Sequence, residues 1–162
     1  MSNSDTCFNQ SHFSREVSKH LTISSDEIQS KLRSKFKGAI ECNALADDVL
    51  PSLADEEKQF GYIYTSLCLE GCCSYKHDYD QGIMKLANLL TYDGYCIQIC
   101  VLNQDEYACN GKIIPSLAVT YEEAKDAWIN AGCTIIDSKH FPSVGGDVSK
   151  IGLCVILVRK QK

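Results

Sequence analysis

The chain has no excess of positive charge, no long apolar run and no targeting segment at its start, and each absence removes a class of function. Its 16 lysines and arginines stand against 21 aspartates and glutamates, a formal charge of −5. No basic field meets a phosphate backbone, so nucleic acid is a poor partner. No run of about 18 apolar residues exists to span a bilayer, so no membrane segment is expected. The opening MSNSDTCFNQ lacks the basic and apolar parts of a secretory signal, and a reducing, cytoplasmic compartment is the expected location. No G-x-G follows a strand-like run and opens a helix, so the usual phosphate-cradling turn is missing as well.

What remains is ample for one core: 162 residues, 44% of them apolar. Ten cysteines raise the question of a disulfide framework. That framework needs an oxidising compartment and a core too small to hold itself together, and neither condition is met. Cys96, Cys133 and Cys154 lie inside apolar strand-like runs, where a free thiol behaves as a small hydrophobe.

The first 20 residues or so are polar and aperiodic and read as a loose arm. Ser24-Ser25-Asp26-Glu27 is an S-x-x-E capping box, followed by Ile28, Leu32 and Phe36 at helical spacing and a stop at Gly38. Residues 39–44 (AIECNA) suggest a short strand, and 47–60 a connecting loop with one helical turn. The run 62–69 is almost continuously apolar, the pattern of a strand covered on both faces. From 75 to 90 the period becomes helical, with Tyr79, Ile83, Leu86 and Leu90 on one side. Tyr92-Asp93-Gly94 reads as a turn, and 95–102 as another strand.

Strand, helix, strand with short joints is a βαβ unit with parallel neighbours. Thr120-Tyr121-Glu122-Glu123 is a second capping box, opening a helix that buries Ala124, Ala127, Trp128 and Ala131 and stops at Gly132. Residues 133–141 and 151–159 are strands joined by FPSVGGDVSK, a loop long enough for antiparallel pairing. The expected fold is a mostly parallel α/β sheet with an antiparallel C-terminal hairpin. Ligands of such sheets bind beyond the strand C-termini, here Asn43-Ala44, the segment 65–73, and Cys100-Val101 onward.

The segments TSLCLEGC, YDQGIMKLANLLTYDGYCIQICVLNQDEY, TYEEAKDAWINAGCTIID and GLCVILVRK together resemble the C-terminal half of the nicotinamide, phenylethanolamine and thioether S-adenosylmethionine-dependent methyltransferase family. The likeness runs from about residue 28 to the end, with a looser continuation to Phe8-Asn9-Gln10-Ser11. It implies a Rossmann-like class I methyltransferase sheet lacking its first two strands, with residues 1–23 an arm and 24–162 a partial methyltransferase domain. It also implies S-adenosylmethionine as cofactor, with Asn43 and Ala44 at the adenine and Ser66 at the methionyl end.

The same resemblance places Cys100, Val101, Gln104, Tyr107 and Ser116 in the acceptor pocket. Tyr107 and Ser116 keep the family's residue types, whereas Cys100 and Gln104 replace the aspartate and serine that hold nicotinamide. The implied acceptor is a small amine or heteroaromatic other than nicotinamide. The missing glycine-rich loop and ribose-binding acid keep an alternative open: a truncated, non-catalytic family member, acting as a binding partner or an unstable product. A metal reading of Cys68, Cys72, Cys73 and His77 lacks the paired C-x2-C or H-x3-H spacing of structural zinc sites. No metal is expected.

Overall fold

The computed structural model describes residues 18–20, 22–142 and 152–162. Most of the expected N-terminal arm and the Gly145-Gly146 loop lie outside them. The chain forms two compact units, Met1–Ile40 and Glu41–Lys162.

The first unit carries helix α1, Ser25–Lys35. The Ser24 hydroxyl accepts the Glu27 N–H at 3.1 Å, so the capping signal falls where it was read. Asp26 and Glu27 occupy the positive end, and Arg33 and Lys35 the negative end. The helix closes at Phe36, two residues before Gly38. None of its residues is buried.

The second unit holds a four-stranded sheet in the order β1-β2-β6-β5, with β1 at Phe60–Ser66, β2 at Leu90–Leu102, β5 at Cys133–Pro142 and β6 at Gly152–Lys160. Strands β1 and β2 are parallel, joined through the short helix α2, Leu69–Cys72, and helix α3, Lys76–Asn88. The other two pairs, β2 with β6 and β6 with β5, are antiparallel. The sheet is therefore mixed, and both the βαβ unit and the C-terminal hairpin occur as the pattern required. No helix among the described residues is long and apolar enough to cross a membrane.

Helix α4, Tyr121–Asn130, starts from a complete capping box in which Thr120 and Glu123 satisfy each other's backbone N–H. It packs beside α3 on one face of the sheet. The core forms there, from Tyr79 and Ile83 of α3, Ala124, Ala127 and Trp128 of α4, and the alternate residues of β2 and β6 that include Cys96, Cys100, Cys154 and Ile156. Gln98 is buried in it and fully used: its amide donates to the Tyr79 hydroxyl at 3.0 Å and accepts from the Trp128 indole at 2.7 Å. Five thiols are buried and free, as small core residues.

Three expectations fail. Residues 39–44 form no strand: Asn43 instead opens a turn, its side-chain oxygen accepting the Leu45 N–H at 3.0 Å while its backbone N–H bonds to Val49. AIECNA has the composition of a strand but no neighbour to pair with, and the Asx turn meets its polar groups locally. Strand β1 is not covered on both faces. It is an edge strand, and Tyr62 and Tyr64 are 81% and 66% exposed. Tyr92-Asp93-Gly94 does not end an element but makes a bulge inside β2, where the register jumps from Phe60 opposite Leu90 to Tyr62 opposite Tyr95. Asp93 takes φ 61°, and a Cβ on Gly94 would stand 2.9 Å from the Thr91 carbonyl oxygen.

One element went unread. Strands β3, Glu106–Cys109, and β4, Lys112–Pro115, form a hairpin over the two-residue turn Asn110-Gly111. Both turn residues have positive φ, the signature of an Asn-Gly hairpin.

Candidate functional site

Helix α2 leaves the C-terminal end of β1 through Leu67, held at φ 52°, and turns Glu70 into the protein. Glu70 is 3% exposed. Its Oε1 accepts the Val101 N–H at 2.9 Å, and its main-chain oxygen accepts both the Leu117 N–H at 2.8 Å and the Ser116 hydroxyl at 3.1 Å. Oε2 is buried and has no hydrogen-bond partner. Burial raises the Glu70 carboxyl above its ordinary range, against the lowering effect of the Val101 N–H and the Cys100 thiol. A buried carboxylate oxygen without a partner is rare in a folded protein and calls for an explanation.

The residues expected at an acceptor gather around this carboxylate. Val101 and Ser116 bond to Glu70 directly. The Tyr107 ring lies against Gly71, where an added Cβ would meet its Cε1 at 3.9 Å. Cys100 sits beside Glu70 with no exposed surface, and its thiol donates to the Val101 carbonyl at 3.2 Å. The neighbouring Cys154 thiol and then burial push Cys100 up, so it stays protonated. Gln104 is turned away, its amide donating to the Glu106 carbonyl at 2.6 Å. Glu70 drew notice in the sequence as the carboxylate among the thiols of this stretch but was not named as a site residue, although it ends the distinctive TSLCLE segment. The signal was a carboxylate following an apolar run.

A groove of about 430 Å³ runs along β1, bordered by Ala44, Leu50, Phe60, Ser66, Cys68 and Leu89. It brings Ala44 and Ser66 together. Asn43 does not line it, and its side-chain oxygen is already committed to Leu45. Lys85 fixes the turn that carries Ala44 by donating to the Leu45 and Ala46 carbonyls at 3.0 and 2.8 Å. The walls are apolar and aromatic with a hydroxyl at Ser66, which suits a purine and a thioether or sulfonium. Among the described residues no carboxylate lines the groove to meet a ribose diol.

The thiols of the segment 68–73 border these two places. Burial raises Cys72, and it pushes Cys73 up to about 12. As protonated thiols Cys72 and Cys73 are poor nucleophiles. Among the described residues no group of three or more His, Cys, Asp or Glu side chains is placed to hold a metal ion.

The model of the NNMT/PNMT/TEMT family matches residues 13–161. Among solved structures, an S-adenosylmethionine-dependent methyltransferase from Clostridium acetobutylicum superposes with a TM-score of 0.55 at 12% identity, over 85% of this chain and 71% of that one. One from Methanosarcina mazei gives 0.55 at 13% identity, over 74% of this chain and 65% of that one. The [4+2]-cyclase SpnF gives 0.52 at 14% identity, over 74% and 54%. At such identities the likeness establishes the fold, that of the class I methyltransferases. The chain spans between about half and seven-tenths of the length of these neighbours.

Proposed function

The chain belongs to the NNMT/PNMT/TEMT family, and from that premise we propose that it serves S-adenosylmethionine-dependent methyl transfer to a small amine or heteroaromatic acceptor other than nicotinamide, received at Glu70. The observation that carries this proposal is the buried, unpartnered Oε2 of Glu70. An oxygen of this kind discriminates strongly for a ligand that brings an N–H donor, because its desolvation cost is offset only by that bond.

The cofactor, when bound, supplies a methyl group on a sulfonium, and Ala44 and Ser66 of the groove along β1 are the residues to hold its adenosyl and sulfur ends. The rest is alignment, which a displacement at a methyl group needs more than it needs a strong base. Val101 fixes Oε1, Ser116 and Leu117 fix the main chain of α2, and Oε2 is left to accept the acceptor's N–H. An amine is nucleophilic only as the free base. A carboxylate raised by burial takes the extra proton of an entering ammonium more readily than an exposed one does. Tyr107 offers an aromatic wall beside Gly71. Cys100, protonated and buried, does not itself offer a nicotinamide amide a charged acceptor.

A reducing, cytoplasmic setting suits the free thiols of the core. A second reading, a family member that binds without catalysing, draws on the groove's lack of a carboxylate for a ribose. Ligand-observed NMR of the 162-residue protein with arylalkyl amines, pyridines, nicotinamide and thioethers tests the acceptor. The expected result is that amines bind most tightly and lose at least about tenfold in affinity in Glu70→Gln, the scale of one charge-assisted hydrogen bond. Preferred binding of nicotinamide or of thioethers, or amine binding indifferent to the substitution, would overturn the proposal.

A further inference from the structure

The described cysteines divide into two groups. Five are buried in the core, and Cys42, Cys68, Cys72 and Cys109 are exposed. A buried free thiol acts as a small hydrophobe and is inert, so the exposed ones call for a different account. Two of them, Cys68 and Cys72, stand one helical turn apart at the start of α2.

The backbone fixes that spacing. The Cys72 N–H donates to the Cys68 carbonyl at 3.1 Å, which closes a full α-turn and puts the two Cα atoms about 6 Å apart. Disulfides span Cα distances of about 4.4 to 6.8 Å. Direction agrees with distance: side chains on a helix lean towards its N-terminus, and the Cys72 thiol reaches the Leu69 carbonyl at 3.4 Å and bonds to the Cys68 thiol. The neighbouring thiol fits less well. Cys73 is buried, and adjacent Cα atoms lie only about 3.8 Å apart across a trans peptide, too close for an unstrained bridge from Cys72. All these contacts lie within residues 68–73, so none depends on what else covers the groove along β1.

We propose that Cys68 and Cys72 are a thiol modification site, a dithiol that hydrogen peroxide oxidises reversibly to a disulfide. Partial burial of its sulfur raises the Cys72 thiol, so Cys68 reacts first. Its thiolate attacks one peroxide oxygen, the O–O bond breaks, and Cys68 becomes a sulfenic acid while the departing hydroxide takes up the proton Cys68 gave up and leaves as water. The Cys72 sulfur then attacks the Cys68 sulfur. The S–O bond breaks, the S–S bond forms, and the hydroxyl leaves with the Cys72 proton as a second water. The two thiols together lose two electrons, and one peroxide is reduced to two waters. Contact between the sulfurs offsets the weak nucleophilicity of Cys72. In a reducing compartment such a bond is transient, formed by oxidant and undone by thiol exchange. Cys68 borders the groove along β1, and Glu70 lies within the ring the bond closes, so oxidation constrains the segment that carries both. The site stands whether or not the chain transfers methyl groups.

Differential alkylation of the 162-residue protein tests this. The reduced protein meets hydrogen peroxide in small excess, its free thiols are blocked with a light label, and thiols released afterwards by dithiothreitol take a heavy one. Cys68, Cys72 and Cys73 share one tryptic peptide, between Lys58 and Lys76. The expected result is heavy label on Cys68 and Cys72 and light label on Cys73, with the heavy label lost if dithiothreitol precedes blocking. In Cys72→Ser, Cys68 should stop at the sulfenic acid, trapped by dimedone at least about tenfold more than in the wild type. Cys109→Ser, on the β3-β4 hairpin, should change nothing. Heavy label on Cys68 together with Cys42 or Cys73 in place of Cys72, a bridge between two chains, or a Cys68 still light once the core thiols have reacted would overturn the proposal. The wild-type labelling alone decides it if a variant fails to fold.

Discussion

Glu70 keeps a carboxylate where the surrounding core favours an uncharged group, and that conflict has a measurable sign. Its ordinary value is near 4.5, and burial lifts it in the folded protein. Below the ordinary value the group is protonated in both states and costs nothing. As pH rises through the lifted value, the folded protein must ionise a buried acid that the unfolded chain ionised already, so stability falls. Glu70→Gln removes this loss while keeping an acceptor for the Val101 N–H. The variant should match the wild type near about pH 4 and exceed it by about 1 to 3 kcal/mol near neutrality, the cost of an incompletely paired buried charge. Urea unfolding at the two pH values checks this, and parallel profiles would show that the carboxyl is not strained. Stabilisation at the expense of ligand binding is the usual mark of a functional group.

At the scale of elements, α4 is the best case of local chemistry acting alone. The Thr120 hydroxyl accepts the Glu123 N–H at 3.2 Å, and Glu123 Oε2 accepts the Thr120 N–H at 2.8 Å and its hydroxyl at 2.7 Å. These bonds hold the Glu123 carboxyl below its ordinary range. Thr120→Ala should cost about 1 kcal/mol at neutral pH. A lowered carboxyl contributes stability above its ordinary value and loses it as pH falls through the lowered one. The cost of the substitution should therefore shrink on acidification, as thermal unfolding at a series of pH values would show. This capping box was legible because all its partners lie within four residues. The Asn110-Gly111 hairpin is equally local but went unread, because its strands are too short to show an alternation. Residues 39–44 are the opposite case: their composition says strand, and only the absence of a neighbouring strand says otherwise.

The second unit has one sheet face closed by α3 and α4 and a half-furnished groove along β1. The groove along β1 has apolar walls and Ser66, but none of the charged partners that a ribose and an amino-acid tail require. This chain alone should bind S-adenosylmethionine more weakly than micromolar. Calorimetry giving a dissociation constant near 1 μM, about −8 kcal/mol, would refute that.

Taken by itself, the sequence determined much of what rests on period and on near neighbours. It supplied the helices at Ser24 and Thr120, the parallel unit around α3, the C-terminal hairpin and the family segment TSLCLE. Val101, Tyr107 and Ser116 were also named from it, as residues expected at an acceptor. Only the tertiary structure decided that these converge on Glu70, that Gln104 and Asn43 are spent on local bonds, and that β1 is an open edge. Burial and hydrogen-bond satisfaction depend on what the rest of the chain brings alongside. A strand with Tyr62 and Tyr64 reads the same whether its outer face is covered or bare, because hydrophobicity records a preference and only packing shows whether it is met.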